Sequence, residues 1–183
     1  MKYDIDHIFK KTFQLAKSYK HEYILLEHLL FILLQEPNCI NTLKSCDIKI
    51  DVLKNNLETF FDSKVQKMSR AKTPKETLAL TRTIERALLH NEFSSSENLE
   101  ASDLLISIFA EDESHAYYLL NDAGATKFKI LQVLTDHAHE KISQHENINE
   151  SDSNESILEK YCTNLNKLTD KFNPLIGLSL IHI

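Results

Sequence analysis

Residues 21–34 read HEYILLEHLLFILL. Two His–Glu pairs, His21–Glu22 and Glu27–His28, stand at the rim of a run that is otherwise apolar. The stretch is either a metal or catalytic site or the entry of a buried helix with a charged edge. A zinc hydrolase of the His-Glu-x-x-His type needs both imidazoles on one helical face, one turn apart. Here YILL intervenes, so the two pairs fall on either side of a helix start. The buried-helix reading is preferred, and a metal-dependent hydrolase using His21 and Glu22 is kept as an alternative.

The surrounding chain repeats. Over residues 6–19, Ile8, Phe9, Thr12, Phe13, Ala16 and Tyr19 make one stripe at helical spacing. A second helix is predicted from about Glu27 to Gln35, and a third from Pro37 to Cys46, with Pro37 in a first-turn position. A fourth begins after Asp51, with Leu53, Leu57, Phe60 and Phe61 inward. The polar stretch DSKVQKMSRAKTPKET reads as a connecting loop. The pattern then returns. LALTRTIERALLH (78–90) opens the second copy, and DLLISIFAEDESHAYYLL (103–120) answers HLLFILLQEPNCINTL (28–43). Ile130, Leu131 and Leu134 match Leu53 and Leu57, and Gly124 suits the end of the seventh helix.

The expected fold is therefore all-α, with two tandem four-helix repeats, about 6–62 and 77–139, packed with pseudo-twofold symmetry over residues 1–139. A repeat of this size buries little surface alone, so the two must share a core. Residues 140–160 are polar and acidic and read as a flexible linker, with a root-mean-square reach of roughly 25 Å. In residues 161–177, Tyr161, Leu165, Leu168 and Phe172 return to helical spacing.

Composition narrows the function. The chain has 183 residues and a formal net charge of −6, which argues against nucleic acid as a partner. No apolar run approaches the length of a membrane span, and the N-terminus MKYDIDHIFKKTF lacks a signal-peptide core, so a cytoplasmic location is expected. Cys39, Cys46 and Cys162 form no paired framework and are read as reduced thiols. With Gly124 and Gly177 the only glycines, there is no GxxxxGK[ST] phosphate cradle. His137 and His139, two residues apart, point to different faces of a helix. No catalytic or metal-ligating set is assigned.

HEYILLEHLLFILL resembles the HEF-x-x-x-EHLL-x-x-LL signature of Clp-type AAA+ unfoldases, and TNLNKLTDKFNPLIG (163–177) resembles the lead-in to the first ATPase module of the ClpA-like branch. The resemblance implies an N-terminal domain and linker whose motor modules are not in this sequence, a double helical repeat, and a non-catalytic role. It implies a ClpS-like adaptor and protein substrates as partners. It also implies a ClpP peptidase reached through the ring, and ATP and Mg²⁺ as cofactors of the longer parent only. TLALTRTIERA (77–87) is similar to a further family segment, and the resemblance carries adaptor binding onto Glu22, Glu27, Thr77, Arg82 and Arg86. Thr77 also suits a helix cap. A stand-alone accessory protein of two Clp repeats is the alternative within the same fold. Where the family places a capping Thr before its second helix, this chain has Leu25, and Glu100 in the second copy. LSLIHI (178–183) departs from the family pattern, is of uncertain origin, and is left out of the fold reading.

Overall fold

The computed structural model describes residues 5–68, 73–93 and 99–145. The first copy comprises α1 (Ile5–Ser18), β1 (Tyr23–Ile24), α2 (Leu26–Leu33), α3 (Pro37–Ser45) and α4 (Ile50–Ser63). The second comprises β2 (Lys75–Glu76), α5 (Leu78–Phe93), α6 (Ala101–Ile108), α7 (His115–Asp122) and α8 (Lys127–His145). Residues 146–160 of the expected 140–160 linker, and the lead-in segment after it, lie outside the described residues. α8 runs to His145, past the expected domain end at residue 139.

The two copies pack as symmetry demands. α1 lies on α2 as α5 lies on α6, and α2 meets α7 as α6 meets α3. α4 touches α7 as α8 touches α3, while α2 and α6 meet each other. One apolar core results, drawn from both copies and including Ile8, Leu29, Leu30, Leu53, Leu57, Phe61, Leu104, Leu105 and Ile130. Ile8 and Ala79 open equivalent turns, because buried Thr12 and Thr83 each donate to the carbonyl four residues back, at 2.8 and 2.9 Å.

Helix ends explain how a chain with two glycines makes its turns. α1, α3 and α7 each close with paired bonds to the last-turn carbonyls, such as His21 N–H to Ala16 C=O and Ile48 N–H to Leu43 C=O, both drawn by the residue two beyond the cap. The intervening residue must take positive φ. It is Gly124 at φ 84° in the second copy, but Asp47 at 61° and Lys20 at 59° in the first.

The all-α expectation missed one small feature. β1 and β2 pair in parallel, Tyr23 with Lys75 and Ile24 with Glu76, and Lys67 bridges His21 from the other side. These contacts fall inside the stretch expected to be loop. No pattern of alternation signals strands this short; they form because helix packing brings the segments together.

One shared core predicts one cooperative transition. Leu30→Ala and its counterpart Leu105→Ala should each cost about 2–5 kcal/mol, by cavity formation, within a single unfolding step. Urea denaturation followed by circular dichroism checks this, and two separate transitions would contradict the shared core.

Candidate functional site

The charges at the rim of α2 do not share one role. Glu27 is buried, and its Oε1 accepts the Ala116 N–H at 2.9 Å, across 89 residues of sequence. Ala116 sits in the first turn of α7, where unpaired N–H groups and the helix dipole favour a carboxylate. Glu27 therefore locks the first copy to the second. The expectation that it edges an open surface is corrected: a carboxylate can be this buried only because it finds the orphan donor of another helix.

The two histidines form a closed chain of hydrogen bonds. The Leu25 N–H donates to His28 Nδ1 at 2.9 Å. His28 Nε2 then lies 2.8 Å from His21 Nδ1, and His21 Nε2 lies 3.0 Å from the Phe61 carbonyl. The backbone ends fix both tautomers. Nδ1 of His28 accepts, so its proton is on Nε2; His21 must then carry its proton on Nε2 to donate to the carbonyl. Both rings are neutral, fully buried, and stacked or tilted against Phe61. Every imidazole nitrogen is used, so neither lone pair is left for a metal. This answers the hydrolase alternative: His21 faces His28 and Phe61, not a site shared with Glu22. Among the described residues, no group of three or more His, Cys, Asp or Glu could hold a metal ion. The side chains of His137 and His139 lie outside the described residues.

The same histidine resolves the missing cap. His28 accepts the backbone N–H of Leu25, and Asp103 accepts that of Glu100 at 2.9 Å. Each is the third residue of its helix, so half of a capping box is kept without the family's Thr.

Glu22 and Thr77 meet at the small sheet. Lys75 N–H donates to the Glu22 carbonyl at 2.9 Å, and both the N–H and hydroxyl of Thr77 donate to the Ile24 carbonyl, at 3.2 and 2.9 Å. The Thr77 side chain thus ties the start of α5 to the first copy; its backbone carbonyl, accepting from Thr81 N–H, opens the helix.

Arg82 and Arg86 lie side by side on α5, joined through Glu111. Arg82 Nε and Nη2 both donate to the Glu111 carboxylate, and Arg86 Nη2 donates to its Oε1 at 2.9 Å. Arg86 Nη1 also reaches the Ser107 carbonyl at 3.2 Å. The Glu111 side chain is 8% exposed, those of Arg82 and Arg86 50% and 40%. Hydrogen bonding from Arg82, aided by Arg86 and opposed by burial, holds the Glu111 carboxyl below its usual range. Lys11 and Glu36 make the equivalent pair in the first copy, at 3.4 Å. The Arg82–Glu111 pair is therefore part of the repeat, and what the second copy adds is Arg86, where the first has Leu15.

A second addition is the connection before α7. It spans 109–114, against 34–36 before α3. The extra residues, including exposed Asp112 and Glu113, wall a cleft of about 510 Å³ with Ala79, Arg82, Arg86 and Ala110. Sequence reasoning found the arginines and missed Glu111, Asp112 and Glu113; the length difference between the copies was the available signal. Of the five expected residues, the fold puts Arg82 with Arg86, puts Glu22 with Thr77, and takes Glu27 inside.

Cys39 is buried against the second copy, and burial, with Glu36 beside it, pushes its thiol up to about 12. That is a packing role. Among the described residues no helix is long and apolar enough to cross a membrane.

Comparison with known proteins supports the same architecture. The Clp repeat (R) N-terminal domain family matches residues 4–123. A ClpA homolog protein of Fuscovulum blasticum is 30% identical over 182 residues, covering 89% of this chain; the chain spans only 23% of that relative's length. Among solved structures, the Hsp104 N-terminal domain from Candida albicans has a TM-score of 0.65 at 12% identity, over 75% of this chain and 91% of that one. A ClpV N-domain in complex with a VipB peptide has a TM-score of 0.53 at 15% identity, over 74% and 94%. At such identities the structures show the fold.

Two outcomes are expected. Burial pulls His28 down to about 3, with the neighbouring His21 ring adding to it, and burial also lowers His21. The unfolded chain binds protons below about pH 6.5 that the folded pair refuses, so stability falls as pH drops from there toward 3. His28 accounts for a slope of about 1.4 kcal/mol per pH unit across that range, and His21 adds to it in the same direction. His28→Gln, which can still accept from Leu25, should remove one proton's share of that slope in denaturation measured across the acid range; an unchanged slope would mean His28 is not held neutral. Glu27→Ala should cost about 1–2 kcal/mol of global stability through the lost cap on α7, and unaltered stability in urea would show that the bond does not join the copies.

Proposed function

The chain belongs to the Clp repeat (R) N-terminal domain family, and on that premise we propose that it is a non-catalytic docking domain. It recruits protein substrates, directly or through a ClpS-like adaptor, for an ATP-dependent unfoldase. The motor, with its ATP and Mg²⁺, and the ClpP peptidase belong in this reading to the cytoplasmic assembly that the domain serves. The ClpV N-domain carrying a VipB peptide supports the reading, since the same fold there holds a peptide partner.

The observation that carries the proposal is the half-exposed guanidinium pair braced by buried Glu111. Arginines free to sample rotamers lose entropy when a partner orders them; these two are already held. They stand beside Asp112 and Glu113, so the cleft is not a general anion trap. A partner must bring acceptors to the arginines and donors to the loop, which fixes its orientation and raises its on-rate. Thr77, at the head of the same α5, and Glu22, whose carbonyl pairs with Lys75 on the small sheet, extend this edge toward the first copy.

Charge reversal at Arg82 would face a buried carboxylate with another and disturb the fold as well as the surface. Arg86→Leu is the cleaner test, because Leu is the first copy's own residue at this position and the Arg82–Glu111 pair survives. Titration calorimetry with a purified ClpS-like adaptor should show affinity lowered about tenfold, with an unaltered circular dichroism spectrum. Equal affinity for both proteins would remove Arg86 from the interface.

A further inference from the structure

The cleft beside Arg82 and Arg86 has an apolar part, and the first copy shows why that part is open. Thr12 and Thr83 make the same bond in α1 and α5, and Glu36 and Glu111 make the same pair after α2 and α6. This register sets Ile8 against Ala79, Leu15 against Arg86 and Gln35 against Ala110. Ile8 is fully buried. Ala79, in its place, is half-buried and lines the cleft together with exposed Ala110. Residues 79, 82 and 86 share one face of α5, as 8, 11 and 15 share one face of α1. Two aliphatic side chains that the first copy carries on this face are therefore missing from the second.

The missing volume is not sealed inside the fold. A closed void would cost stability in proportion to its size. This space is bordered instead by exposed Arg82, Ala110, Asp112 and Glu113, so a partner can reach it. Leu78, one turn before Arg82 on the same side of α5, is 69% exposed, where the first copy has His7. The second copy thus gives up an inward aliphatic side chain and gains an outward one.

Charge does not single out an occupant here. Arg82 and Arg86 are both engaged by Glu111, and Asp112 and Glu113 line the same cleft. Groups of both signs orient a segment, and the apolar part distinguishes one segment from another.

We propose that the cleft is a socket for one branched aliphatic side chain of the docking partner, leucine or isoleucine, in the place that Ile8 fills in the first copy. The inference rests on the docking reading above and adds the residue that the partner must present. The side chain covers the methyl groups of Ala79 and Ala110, and polar groups on either side of it meet the arginines and the Asp112–Glu113 pair. At about 510 Å³ the cleft also has room for the main chain that carries the anchor. An aliphatic anchor in a pocket with a polar rim is the arrangement in which one residue dominates affinity.

Ala79→Ile tests this directly, because it gives the second copy the first copy's own residue and fills the socket from within. Titration calorimetry with a purified ClpS-like adaptor should show binding weakened about tenfold, with an unaltered circular dichroism spectrum. A second measurement needs neither the adaptor nor the variant. It uses fluorescence anisotropy with a labelled peptide in which leucine stands between aspartate and lysine, flanked by glycine and serine. Replacing that leucine by alanine should weaken binding to the parent protein about tenfold, and Ala79→Ile should erase the difference. An adaptor that fails to bind the parent protein counts against the docking reading, and the peptide pair then decides the socket. The socket is overturned if the leucine peptide binds the parent protein no tighter than the alanine peptide. It is overturned equally if an adaptor or leucine peptide that binds the parent protein binds Ala79→Ile as tightly.

Discussion

Two short, leucine-rich helices are buried on almost every side, and no single copy of the repeat can enclose either. In α2 all but Phe31 of the eight residues are buried, and in α6 all eight are. Each has its own copy's first helix on one flank, but needs the other copy's third helix on another. This constraint makes the two halves one folding unit. It also brings α2 and α6 together at the centre and leaves α5, α7 and the connection before α7 toward the edge. Burial of this extent drives association of the halves far more strongly than any of the charged contacts around it.

Within that frame the copies solve equal problems with unequal residues. The N-cap N–H is accepted by an imidazole in one and a carboxylate in the other. The buried glutamate before the third helix is matched by lysine in one and two arginines in the other. Where pseudosymmetry holds, a residue serves the fold; where it breaks, the residue either solves the same packing problem differently, as His28 and Asp103 do, or has no counterpart in the other copy's packing. Arg86 and the longer connection before α7 have no such counterpart, and both lie in the second copy. Glu27 illustrates the reverse case. A charge that looks like part of a binding edge is a bolt between the halves.

His21 and His28 owe their placement to a helix end and a helix start. Lys20 takes positive φ, which turns His21 inward at the close of α1. His28 enters α2 as its third residue and caps it. Their bond follows from these two local events, and so does their neutrality, since neither ring has access to water to support a charge. What reads in sequence as a pair of metal-binding dipeptides is a buried strut from α2 to the end of α4.

Apolar periodicity by itself determined the eight helices, the duplication and the shared core, because helical spacing and the need to bury leucines are local and repetitive signals. It determined the arginine pair on one face of α5 for the same reason. Tertiary structure alone decided which charges are spent inside. Glu27 finds its donor 89 residues away, and Glu111 braces arginines from a helix 25 and 29 residues earlier. It alone decided the two-residue strands and the stacking of Phe60 from α4 on His115 from α7. Each of these depends on how two copies are turned against one another, and no spacing within a single helix encodes that rotation.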